Sequence, residues 1–327
     1  MSCANAAGIS DVCRRLQRLI HKQHVKSAGF VLIAVLFAST FTGVPSVHAS
    51  QALTSTSPKF VYLPLVALLD PPFVADSFIT GIDAQAVQVL ARGRKRGNNP
   101  HSFSLIGDSN TANPRFFKPI GNGVYELAAY AFLRPSIPWF QGSFGRVSLA
   151  ASGGYSVSAL LNMALAPPQC PGVAPLECEL STNNPAFALI MIGTGDQYSW
   201  QDFEVRFRNV LSITLSHDVL PVVVTKGDTL ECTRGNAPCG TINDIQRRLA
   251  AEYHVPLLDL DHALDGLPDH GMIIEGGVGF HYSFPADDDQ PLHYRTALFY
   301  PDLLNYGFNV RNLQCLWLVE TLRRQLG

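Results

Sequence analysis

The chain has 327 residues, of which 47% are hydrophobic, enough for a full buried core; this excludes fibrous and disordered classes. With 24 basic against 26 acidic residues the formal net charge is −2, which provides no field to hold nucleic acid or an anionic membrane surface. Small molecules or neutral polymers are the expected partners.

In chain order, a basic stretch (Arg14, Arg15, Arg18, Lys22, Lys26) runs into the apolar segment AGFVLIAVLFASTFTGV, and Val47-His48-Ala49 has the small-x-small form of a signal-peptidase site. Residues 1–49 are therefore expected to be a removed export signal, with an uncleaved anchor as the alternative. No cysteine stands where a lipid would be attached. Residues 50–80 read as a Ser-, Thr- and Pro-rich linker and lead-in, and residues 81–327 as one domain. Export makes the chain secreted or extracytoplasmic, where disulfides form. Cys170–Cys178 and Cys232–Cys239 each close a short loop and are expected to be bridged, leaving Cys315 as a buried thiol. No His joins either pair at ligand spacing, so neither a metal nor a cofactor is expected.

The segment DAQAVQVLARGRKRGN predicts a helix that turns basic at its end. Compact apolar runs predict strands at SFSLIGDS, RVSLAAS, FALIMIG, VLPVVVT and VPLLDL. Helices are predicted at GVYELAAYAFL, FEVRFRNVLSITLSH, TINDIQRRLAAEY and NVRNLQCLWLVETLRRQL. Strands apolar on both faces, alternating with helices, imply a three-layer α/β/α sandwich with a mostly parallel central sheet. Ligands bind such sheets at the C-terminal ends of the strands.

FSLIGDSNT places Ser109 just after the first strand, at a turn that would present its hydroxyl on that edge. A bare Gly-Asp-Ser is more often a turn than a nucleophile. Here, together with later segments, it resembles the motif blocks of the GDSL/SGNH hydrolases over about residues 95–327. The resemblance implies an SGNH, flavodoxin-like fold with Ser109 as nucleophile. VSLAASGGYSV supplies Gly153 and Gly154, either of which would lend a backbone N–H to an oxyanion hole shared with that of Ser109; Gly–Gly also serves simply as a tight turn. ALIMIGTGDQ keeps Gly193, Thr194 and Asp196 of the third block, but Gly195 stands where the family has the oxyanion Asn. LPDHGMIIEGGVGFHYS resembles the last block and puts His281 in the general-base position. The family's orienting Asp is replaced by Val278; Glu275, the nearest preceding acid, is the candidate acid partner of His281 if the Gly-rich loop lets it substitute. A formal Asp-x-x-His also occurs at Asp259–His262, earlier than the family places it, where local turn bonding accounts for it equally well.

Two functions follow. One is an exported serine ester hydrolase, weakened at Gly195 and Val278, acting on carbohydrate O-acyl groups or simple lipid esters, with no nucleic-acid partner and no stable membrane insertion after signal removal. The other is an inactive SGNH-fold protein that binds glycan or cell-surface ligands. Tyr155, Tyr198, Trp200 and Tyr282 are candidates for sugar stacking under either, although aromatic residues are more often core.

Overall fold

A computed structural model describes residues 76–228, 230–234, 237–286 and 293–327. The expected export signal and the linker up to residue 75 lie outside the described residues. Among the described residues no helix is long and apolar enough to cross a membrane.

The architecture is a three-layer α/β/α sandwich around a five-stranded sheet. Its strands are β1 (Ile79–Thr80), β2 (Asn99–Gly107), β3 (Pro185–Met191), β4 (Leu220–Val224) and β5 (Leu257–Leu258), in the order β1-β5-β4-β3-β2. β2 to β5 run parallel, and β1 is antiparallel at the edge. Because β1 lies within the stretch expected to be a lead-in, the folded domain starts before residue 81. Every residue of β3 and β4 is buried, as a parallel strand covered on both faces requires. The principal helices are α1 (Ala84–Arg96), α2 (Ser109–Ala112), α3 (Pro175–Asn183), α4 (Phe203–Ser216), α5 (Thr241–Glu252) and α6 (Gly307–Leu326). α1 starts where Asp83 accepts the N–H groups of Gln85 and Ala86, and buries Ala86, Val89, Leu90 and Gly93 at helical spacing.

Three expected elements differ. RVSLAAS forms a single parallel bridge, Gly107 to Ala151, instead of a strand. The cause is Glu179: its fully buried carboxylate accepts the Leu149 N–H at 2.8 Å and the Ser104 hydroxyl at 2.6 Å and is gripped by Arg146, so the backbone here finds its partners off the ladder. GVYELAAYAFL yields only a 3-10 segment, Ala128–Leu133. Glu126 exchanges backbone hydrogen bonds with Ala297 and Phe299, which draws the preceding residues out of a helix. VPLLDL shortens to two ladder residues, because the Asp259 side chain turns to Arg247 and Thr225.

The rudimentary bridge matters to topology. It places residue 151 outside β2, so the chain visits one side of β2 before crossing back to β3, the 2-1-3-4-5 pattern of flavodoxin-like sheets. The reversal falls between β2 and β3, where such folds open a crevice at the strand ends.

No strand or helix is predicted for LPDHGMIIEGGVGFHYS. It forms an antiparallel hairpin, β6 (Met272–Glu275) and β7 (Val278–Tyr282). Gly276 and Gly277 have φ of 59° and 78°, the pair of positive angles that a two-residue turn of this kind demands. The N-terminus of α6 locks the hairpin's base: a Cβ on Gly307 would lie 2.0 Å from the Gly271 carbonyl oxygen. Both expected disulfides, Cys170–Cys178 and Cys232–Cys239, are present, and Cys315 is a buried free thiol.

Candidate active site

Ser109 is the first residue of α2, the single helical turn that follows β2. Asp108 caps that turn, its Oδ1 accepting the Asn110 N–H at 3.0 Å. The Ser109 Oγ lies 3.2 Å from Nε2 of His281, which the hairpin delivers from 172 residues further along the chain. That separation is within reach of a nucleophile and its base before substrate binds.

The N–H groups of Ser109, Gly153 and Gly154 make no hydrogen bond to any described residue. The glycine pair is tied beside the nucleophile turn, because Ser152 donates to the Gly107 carbonyl at 3.3 Å and Tyr155 closes a turn onto Ser152. Gly154 has φ of 77°, a backbone angle that suits glycine.

The turn at residues 193–196 follows directly after β3. Gly193 has φ of 141°, and a Cβ there would meet Ile242 at 2.6 Å, so glycine is required. Thr194 donates to Asp228 at 2.7 Å. Asp196 is fully buried, and both its oxygens accept the Val157 N–H at 3.0 Å, so it holds the far end of the loop that carries Gly153 and Gly154. Gly195, between them, has no side chain to aim at the site.

Burial raises the Asp196 carboxyl from 3.8 to about 7, against the pull of the Val157 N–H. The folded chain therefore holds a proton on Asp196 that the unfolded chain releases above pH 3.8. Stability from this group is intact below that value and falls as the pH rises towards 7, on the order of a few kcal/mol in all. Asp196→Asn, which cannot ionise, is expected to gain melting temperature relative to the parent by about 5 °C or more between pH 4 and pH 8. Thermal melts of both proteins at the two pH values test this; a difference independent of pH would overturn it.

Asp108 is also buried, and that burial, reinforced by the negative charge of Asp228, pushes its carboxyl up to about 6. Beneath it lies a group that sequence reasoning missed. Lys226, 2% exposed, donates to Asp228 at 3.0 Å and to Glu231 at 2.6 Å. The available signal was TKGDTLE, a cluster of charges directly at the end of an apolar strand. Removing one member would leave a buried charge uncompensated.

The remaining candidates lie as follows. Glu275 is exposed at the hairpin tip, pairs across the turn with Val278, and makes no hydrogen bond to His281; among the described residues nothing hydrogen-bonds to His281 Nδ1. Val278 is buried on the same hairpin face as His281. His262 and Asp259 do form a hydrogen bond, Nδ1 to Oδ2 at 2.8 Å, but the imidazole is exposed and Asp259 also serves Arg247. They follow β5, three strands from β2 or about 14 Å across the sheet at ~4.8 Å per strand. Tyr282 is a core ring: its hydroxyl donates to Met191 Sδ and accepts the Gly227 N–H, so it is not available for stacking on sugar. Tyr155 and Trp200 pack partly against the core, and Tyr198 is exposed.

Fold and site together define an α/β sandwich with a serine–imidazole pair at the sheet's topological switch point. No protein-family model matches the chain, and no curated protein matches it. Among solved structures, a GDSL-like lipase from Bacteroides thetaiotaomicron VPI-5482 is similar over 72% of this chain and 98% of that one, with 10% identity and a TM-score of 0.40.

Proposed function

We propose that the protein is an exported SGNH-type serine ester hydrolase. The observation that carries this reading is the 3.2 Å contact between Ser109 Oγ and His281 Nε2 at the switch point. His281 takes the serine proton as the hydroxyl attacks an acyl carbonyl. The N–H groups of Ser109 and of Gly153 or Gly154 hold the oxyanion. His281 returns its proton to the leaving alcohol, and water then repeats the sequence to release the acid. Nearly balanced charge and two disulfides fit an extracytoplasmic enzyme with neutral substrates, carbohydrate O-acyl groups or simple lipid esters.

Gly195 and the absence of an acid on His281 Nδ1 among the described residues favour a second reading, a binding protein that kept the cleft. One lost oxyanion donor costs about 10²–10³ in turnover, and a lost orienting Asp about 10⁴. The two do not simply multiply, since residues of one catalytic unit are not additive. A fluorophosphonate probe decides: the hydrolase labels on the peptide containing Ser109 and loses the label in Ser109→Ala. An unlabelled, folded wild type would leave the binding reading.

A further inference from the structure

The pairing of β6 with β7 contains an irregularity at the functional point. Ile273 pairs with His281 and Ile274 with Gly279, so Phe280 is an extra residue on β7. This is a β-bulge, which bends a strand and re-aims the side chains beside it. Because of it His281 and Val278, three residues apart, share a face of the hairpin. A bulge residue also loses its place in the ladder and must find partners elsewhere. The Phe280 carbonyl finds one in Asn110, the residue after the nucleophile, whose Nδ2 donates to it at 2.8 Å.

Asn110 is itself held from below. Arg311 of α6, fully buried, donates to the Asn110 carbonyl at 2.5 Å and to Thr111 Oγ1 at 3.2 Å, and its guanidinium lies 3.6 Å above the Phe116 ring. No carboxylate pairs with Arg311 among the described residues; its Nη1 and Nη2 donate to the nucleophile turn, and its buried Nε has no partner among the described residues. Asn110 is also buried, and because its partner on β7 is a carbonyl, only the amide nitrogen can face it.

We infer that Asn110 is the positioning residue of the Ser109–His281 pair: by gripping the bulge at Phe280 it fixes the imidazole against the serine through the backbone, where the family pattern would use an acid on the ring. This rests on the hydrolase reading for its consequence in catalysis, but the tie itself can be tested without it.

Two variants make the test. Asn110→Leu keeps the volume and removes the donor. Asn110→Asp keeps the shape and offers a donor only when its carboxyl is protonated. Fluorophosphonate labelling of Ser109 is followed as a rate constant per folded molecule from pH 5 to pH 8, with amide hydrogen exchange measured over residues 278–282. Asn110→Leu is expected to label about 10²-fold more slowly, the cost of a misplacement near 1 Å, and to exchange faster across β7. The ratio of Asn110→Asp to wild type is expected to rise as the pH falls, since the introduced carboxyl becomes a donor to the Phe280 carbonyl only when it is protonated. A flat ratio, or Asn110→Leu with unchanged exchange, would overturn the inference. A wild type that does not label would defeat the hydrolase reading, and the exchange measurement would still decide the role of Asn110.

Discussion

His281→Ala is expected to slow hydrolysis of an activated acetyl ester by about 10²–10⁴-fold, while His262→Ala leaves the rate within about twofold of wild type. The contrast tests geometry against motif. Asp259 and His262 satisfy the Asp-x-x-His spacing and even form the Asp–imidazole hydrogen bond, at 2.8 Å. Yet the hydroxyl that would need a base is bonded to the other histidine, at 3.2 Å. Asp259 is meanwhile occupied by the Arg247 guanidinium and the Thr225 hydroxyl, as part of a network that ties α5 to the end of β5. Steady-state rates for the two single variants, with circular dichroism to confirm folding, check the expectation. Equal losses at both positions would show that His262 is the base.

Gly195→Asn is expected to raise the same rate by at least about tenfold, with about 10²–10³ as the ceiling for one oxyanion donor. The structure removes the chief steric objection. Gly195 is not among the glycines with positive φ, and a Cβ built on it meets Tyr155 O at 3.6 Å and Ser156 Cβ at 3.9 Å, both ordinary contacts. The new side chain would grow from the turn after β3 beside Tyr155 and Ser156, on the loop that carries Gly153 and Gly154. Adding Val278→Asp gives His281 a carboxylate on its own hairpin face. Val278 is 6% exposed, however, so an unpaired carboxylate there would be costly. The double variant is therefore expected to melt lower than Gly195→Asn alone. A folded Gly195→Asn protein that hydrolyses no faster, with Ser109 unreactive to the probe, would count against a latent hydrolase site.

Several features of this protein follow from local sequence alone. Apolar runs such as FALIMIG and VLPVVVT can only be satisfied by burial on both faces, so the parallel sheet was legible, as were α1, α4, α5 and α6. The two disulfides were legible because each pair of cysteines closes a loop of eight residues or fewer. The position of Ser109 at a strand-to-helix turn came from Gly-Asp-Ser directly after β2. What needed tertiary structure were the places where a side chain or a distant segment takes over backbone partners. Glu179 reduces RVSLAAS to one bridge, and residues 297–299 claim Glu126 from a predicted helix. The meeting of Ser109 with His281, the grip of Asn110 on Phe280 and the buried Arg311 behind it join residues more than 150 positions apart. Contacts at that separation leave no periodic trace in the sequence, because only the packing of α6 against the hairpin and the closing of the sheet bring them within hydrogen-bond range.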